Sequence, residues 1–224
     1  KGKKYIEEYV QALTHELKSP LSSIRGSAEL LEEDMPPEQR ANFIRTIVRE
    51  GRRMENVIQR MLELSSLENR RDLRDVELLG IRALADEIIG DLAPATQNKG
   101  VRITNLVESR HSVKGERFLL RHALANVMEN ALRFSPSHGE IRVSAIEEKG
   151  WLVLSVEDQG AGIPDYAIGK IFNRFYSLPD RDSGKKSTGL GLPFVREAVA
   201  LHGGSVEVRN REGGGAEARL LLPL

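Results

Sequence analysis

Apolar residues recur in alternating steps of three and four through Ile6, Val10, Leu13, Leu17, Leu21, Ile24, Ala28 and Leu31. That period predicts a helix from about Tyr5 to Asp34 with a single apolar stripe. Met35-Pro36-Pro37 ends it, because proline cannot continue a helix and disfavours helix in the residue before it. A second run, with Phe43, Ile47, Met54, Val57, Ile58, Met61, Leu62, Leu64 and Leu67, predicts another helix from about Glu38 to Glu68. A short turn between long helices makes an antiparallel hairpin. Two helices alone cannot enclose a core, and the simplest remedy is a homodimer forming a four-helix bundle with the stripes inward.

The pattern changes near Asp72. Short β-rich runs at Val101–Val107, Glu140–Ile146, Trp151–Glu157, Ser205–Arg209 and Ala216–Leu222 alternate with helical stretches near Gly80–Lys99, Glu116–Phe134, Pro164–Phe172 and Leu190–His202. Strands interleaved with helices in this way predict a two-layer α/β sandwich, so the fold class of the whole chain is α+β. The expected domains are residues 1–70 and 71–224. Asn210–Gly215 reads as a hairpin turn between the last two strands. Ser177–Thr188 is polar, rich in lysine and without period, and is expected to be a mobile loop.

Composition narrows the chemistry. The 224 residues include no cysteine, which excludes thiolate nucleophiles, disulfides and cysteine-ligated zinc. Lys plus Arg and Asp plus Glu both number 33, and this balance argues against nucleic acid as the main partner. No apolar run reaches the roughly 18 residues that span a bilayer. The chain begins Lys-Gly-Lys-Lys without Met and is read as an excised fragment, so any membrane anchor is expected in a segment before it.

Several residues could carry chemistry. His15 lies mid-helix beside the stripe formed by Leu13 and Leu17, so its ring is expected to face solvent. A neutral imidazole nitrogen is a nucleophile near pH 7, and Glu16 could accept the proton of the other nitrogen. Pro20, one turn on, should loosen the helix there. Asn126 and Asn130 share a helix face. Their amide oxygens suit Mg²⁺, and helix-to-loop hydrogen bonds explain them equally well. Arg133 could pair with the same phosphates. Asp158-Gln159-Gly160-Ala161-Gly162 follows a strand, where a carboxylate can accept a hydrogen bond from the amine of adenine and the glycines permit close approach. Gly189-Leu190-Gly191-Leu192 opens a helix, whose free N–H groups bind phosphate.

Taken in order, His-Glu-x-x-Ser-Pro, Asn-x-x-x-Asn-Ala-x-Arg-Phe, Asp-x-Gly-x-Gly, Phe-x-x-Phe and Gly-Leu-Gly-Leu resemble the H, N, G1, F and G2 boxes of sensor histidine kinases. The resemblance covers essentially the whole chain. It implies a dimerisation and histidine-phosphotransfer hairpin followed by a Bergerat-type ATP-binding domain, as in gyrase, Hsp90 and MutL. It further implies autophosphorylation on His15, assisted by Glu16, and transfer to an aspartate in the receiver domain of a response regulator. Mg²⁺ would be held by Asn130, and ATP by Asn126, Arg133, Phe134, Asp158, Gly160, Gly162, Ile163, Lys185, Thr188, Gly189, Leu190, Gly191 and Leu192. The implied setting is the cytoplasmic part of a bacterial inner-membrane sensor.

Three positions depart from the family pattern. Ser177 stands where many relatives carry an arginine that reaches the γ-phosphate, a role that Arg174, Arg181 or Lys185 could take instead. Ser19 stands where relatives with phosphatase activity often have Thr or Asn, and Phe134 where Tyr is frequent. Two rival readings are a Bergerat-fold ATPase or Ser/Thr kinase without phosphohistidine, and a dimeric scaffold with a degenerate pocket.

Overall fold

The computed structural model describes residues 2–180, 184 and 186–224, and within the first helix the side chains of residues 2–10, Ala12 and His15 lie outside the description. The chain divides into two compact units, Lys1–Ser65 and Ser66–Leu224. Among the described residues no helix is long and apolar enough to cross a membrane.

The first unit is helical. Helix α1 spans Gly2–Leu30, and α2 spans Pro37–Glu68, with Pro37 at its first position, where a missing N–H costs nothing. Pro20 does not interrupt α1, contrary to the loosening expected beside His15. It only removes the N–H that would have met the Glu16 carbonyl. Part of the apolar pattern has no cover: Leu21, Ile58 and Leu62 are exposed, and so are Leu30, Ile44 and Val48 beside it.

The second unit is a sandwich. Strand β1 (Val76–Gly80) leads into α3 (Ile81–Lys99), followed by β2 (Arg102–Asn105), β3 (Ser112–Glu116) and α4 (Arg117–Phe134). Then come β4 (Glu140–Glu148), β5 (Trp151–Glu157), α5 (Asp165–Ile168), α6 (Gly191–Leu201), β6 (Ser205–Asn210) and β7 (Ala216–Pro223). Five strands form one sheet in the order β2-β4-β5-β7-β6. β2 and β4 run parallel, and the other neighbours are antiparallel. Strand alternation sends Ile141, Val143, Leu152, Leu154, Val156, Leu220 and Leu222 into the core beneath the helices. The opposite face carries charge, with Arg209 donating to Glu217 at 2.7 Å and Arg211 lying 2.9 Å from Glu157.

Two expectations need correction. β1 and β3 pair antiparallel as a separate two-stranded ribbon that no sequence pattern announces. The helix expected at Pro164–Phe172 is one turn, Asp165–Ile168, after which the chain turns away through Gly169. Arg70 fixes the segment after α2 by donating to both Glu116 oxygens at 3.0 and 2.6 Å. Arg174 pairs with Glu68 at the end of α2.

Candidate functional site

The second unit holds a cleft whose floor is β5, β7 and the edge strand β6, with Val156, Val208, Ala216 and Ala218, and whose wall is α4, with Val127, Asn130, Ala131 and Phe134. Gly162, Ile163 and Ile171 border it on one side. Tyr176, Ser177, Leu178, Ser187, Gly189, Gly191 and Leu192 border it on another.

Asp158 sits at the end of β5, only 7% exposed. Its Oδ1 accepts N–H bonds from Gly160 at 2.7 Å and Ala216 at 3.1 Å. Oδ2 has no partner among the described residues, and Asp158 borders the cleft. Burial pushes its carboxyl above the usual carboxylate range, while the two N–H bonds and the Arg211 charge pull the other way. The site therefore presents one unspent acceptor oxygen in a partly apolar recess. That is what recognition of an exocyclic amine requires.

At the other border, α6 begins at Gly191, and Gly189 and Gly191 both face the cleft. The unpaired N–H groups of a helix start favour an anion. Gly189 has φ +66, and a Cβ there would stand 2.5 Å from the Phe175 carbonyl carbon. Phe175 itself has φ +61, and its N–H donates to the Gly189 carbonyl at 3.0 Å. Two residues further along each strand of this neck, the Ser177 and Ser187 hydroxyls lie 2.8 Å apart, and the Ser187 N–H donates to Ser177 Oγ at 3.0 Å. The segment expected to be mobile is thus closed at its base.

The two asparagines separate. Asn130 borders the cleft, and its amide has no protein partner among the described residues. Asn126 is buried, its Nδ2 donates to the His122 carbonyl at 2.9 Å, and its Oδ1 fills the space where Gly191 would carry a Cβ, 2.7 Å away. Asn126 is thereby drawn into the packing of α4 against the start of α6 and does not line the cleft. Among the described residues no cluster of three His, Cys, Asp or Glu groups could hold a metal. One amide oxygen fits a Mg²⁺ ion that draws its remaining ligands from water and phosphate.

The other expected residues divide as well. Phe134, Gly162, Ile163 and Leu192 border the cleft. Gly160 does not; it turns under the Phe134 carbonyl, which a Cβ would meet at 2.5 Å. Arg133 does not either: its guanidinium lies over the Phe134 ring at 5.4 Å and 3.9 Å from Asp180. Leu190 is core, and the Thr188 hydroxyl is buried without a partner among the described residues. Lys185 and Arg181 lie outside the described residues, as does the side chain of His15. In the helical unit, Glu16 pairs with Arg53 of α2 at 3.8 Å.

Sequence reasoning missed Asn210 and Arg211, which brace the cleft from the end of β6 and the turn after it. Nothing in Asn-Arg-Glu-Gly-Gly-Gly distinguishes that turn from any other hairpin loop.

Residues 5–70 match the family model described as the His Kinase A (phospho-acceptor) domain, and residues 115–224 match that of the histidine kinase-, DNA gyrase B- and HSP90-like ATPases. The chain belongs to the sensor histidine kinases. This histidine kinase chain is 44% identical to sensor protein CreC of Escherichia coli (strain K12) over 224 residues, 99% of the chain and 46% of CreC. The segments Tyr9–Leu21, Gly162–Ala167 and Arg174–Pro179 carry a resemblance to CreC in the sequence itself. It is 31% identical to sensor histidine kinase SpaK of Bacillus subtilis over 97% of the chain and 48% of SpaK. The chain therefore spans about half the length of the curated relatives it matches. Among solved structures, full-length ShkA in complex with AMPPNP superposes with a TM-score of 0.71 at 27% identity, over 96% of this chain and 45% of that one. ThkA in complex with its response regulator TrrA gives 0.79 at 22% identity, over 100% of this chain and 64% of that one, a likeness of fold.

Proposed function

We propose that this chain is the catalytic core of a bacterial sensor histidine kinase that phosphorylates itself on His15 with ATP and passes the phosphoryl group to an aspartate of a response-regulator receiver domain. Residues 1–70 serve as the dimerisation and phosphotransfer domain and residues 71–224 as the ATP-binding domain. The carrying observation is the cleft, with the unspent Oδ2 of Asp158 at one border and the Gly189–Gly191 start of α6 at another. That pairing suits a ligand with an amine-bearing base at one end and phosphates at the other. Full-length ShkA, which shares this fold, was solved with AMPPNP.

In this reading His15 Nε2 attacks the γ-phosphorus, the bond to the β–γ bridging oxygen breaks, and ADP leaves. Glu16 takes the Nδ1 proton as the phosphoimidazole forms. Mg²⁺ bound at Asn130 would supply charge neutralisation to the phosphates. Asn130 presents an amide oxygen, the helix start presents N–H groups, and Asp158 fixes the base, so the chain contributes position more than covalent chemistry. The uncovered stripe on α1 and α2 supports a homodimer. The greater length of the relatives supports a longer protein whose other part reaches the inner membrane, leaving this part cytoplasmic.

Incubation with γ-labelled ATP should give a labelled chain whose label is lost in acid and kept in base. His15→Gln should abolish labelling while a non-hydrolysable ATP analogue still binds. Acid-stable label, or full labelling of His15→Gln, would refute the assignment.

A further inference from the structure

Between Gly160 and Pro164 the chain has no regular structure, yet Gly162 and Ile163 form one border of the cleft. Their hold comes from the end of β6. The Ile163 N–H donates to Asn210 Oδ1 at 2.6 Å, and Asn210 Nδ2 donates to the Ile163 carbonyl at 2.8 Å. A single planar amide thus satisfies both backbone groups of one residue. Among the described residues these are the only hydrogen bonds to residues 161–163. Gly162 completes the fit: it has φ +75, and a Cβ there would stand 2.7 Å from Asn210 Oδ1. The turn after β6 braces Asp158. Arg211 Nη1 donates to the Asp158 carbonyl at 2.9 Å, and Gly215 approaches so closely that a Cβ would meet that carbonyl oxygen at 2.0 Å.

We infer that Asn210 is a positioning residue that gives the cleft its shape for the nucleobase, holding the Gly162–Ile163 border at a fixed distance from Asp158. This rests on the nucleotide reading given above. The N–H bonds that Asp158 accepts from Gly160 and Ala216 do not involve the Asn210 side chain. The phosphate border at Gly189 and Gly191 belongs to other elements. Loss of Asn210 therefore loosens one border and leaves the rest. The consequence is weaker and less selective binding of the base, with the rate at saturation preserved.

The test uses the whole chain with Asn210→Ala and the isosteric Asn210→Asp, which keeps the acceptor and replaces the donor with an oxygen. Binding of non-hydrolysable ATP and GTP analogues, KM and kcat for autophosphorylation, and melting temperature would be measured together. For Asn210→Ala, KM for ATP and the Kd of the ATP analogue should rise about tenfold, the worth of two ordinary hydrogen bonds. The GTP analogue should be affected less, so the ATP preference shrinks, and kcat should stay within about twofold of the parent, a change of less than half a kcal/mol in barrier. Asn210→Asp should show the same split. Unchanged KM in both variants, or a fall in kcat at constant KM, overturns the proposal. Failure of the parent chain to bind the ATP analogue overturns the nucleotide reading instead.

Discussion

At the scale of the residue, Asp158 is the group on which base recognition turns. One oxygen is saturated by two N–H donors and the other is left to the cleft. Asp158→Asn keeps the shape and removes the charge. A hydrogen bond to a charged group is worth about 1.5–3 kcal/mol, so calorimetry should record a ten- to hundredfold loss of affinity for a non-hydrolysable ATP analogue. His202 is a buried residue of the opposite kind, with a purely structural duty. Its Nδ1–H donates to the Ala198 carbonyl at 2.7 Å, and its Nε2 accepts the Glu116 N–H at 3.0 Å, which fixes the neutral tautomer. Burial lowers its pKa from the ordinary 6.5, Arg70 adds to this, and the Ala198 bond and Glu116 charge oppose it. A folded value below the unfolded one gives stability that is complete above about 6.5 and lost as pH falls towards the folded value. Thermal melts should therefore lose stability below pH 6.5, and His202→Gln should flatten that slope. An unchanged slope in the variant would exclude His202 as its source.

The same scale shows where residue type stops being informative. Asn126 and Asn130 look alike in sequence, one helical turn apart on α4. Gly191, far along the chain, packs on Asn126 and leaves Asn130 at the cleft. No local pattern holds that distinction.

At the scale of the element, the neck between Phe175 and Gly189 is tightly constrained. Phe175 pays for a left-handed conformation, and the close approach of its backbone leaves no room for a side chain at Gly189. Gly189→Ala adds both strain and overlap, so KM for ATP should rise by tenfold or more, following roughly 1–3 kcal/mol of distortion. Far-UV circular dichroism should stay unchanged, because the position lies outside the helices and strands. Normal KM in this variant would mean that the neck does not shape the phosphate border. Long elements are legible in the sequence. The bounds of α2, β5 and β7 fall within a residue or two of their sequence patterns, because each has a strong period and a clear stop signal. The ribbon of β1 and β3 is not legible. Its strands, Val-Glu-Leu-Leu-Gly and Ser-Val-Lys-Gly-Glu, are short, and each is held by the other from more than thirty residues away. The helix expected after Pro164 fails for the converse reason: its helical propensity is real, but only one turn fits before the chain must cross to the cleft.

At the scale of the whole molecule, the helical unit does not bury its own stripe. Leu21 is 56% exposed and Leu62 is 58% exposed. Covering a leucine contributes about 1.5–3 kcal/mol, and a twofold interface counts each residue twice. Light scattering should give a dimer, twice the 25.0 kDa of the chain. Combined Leu21→Asp and Leu62→Asp should yield monomers whose isolated nucleotide binding is intact. A monomeric parent chain would remove the bundle from this account. The α/β unit closes its own core, with helices over one sheet face and charged pairs on the other, although Leu78, Phe118 and Tyr166 remain exposed on its surface.

Period and punctuation in the sequence determined the two long helices, the five main strands and the order of the chemical motifs, because these depend on neighbours within a few residues. Tertiary structure alone decided which Asn faces the cleft, which oxygen of Asp158 is left over, and that Asn210 holds the Gly162–Ile163 border. Each of those depends on a partner brought from tens of residues away, and a linear pattern carries no record of which distant groups will meet.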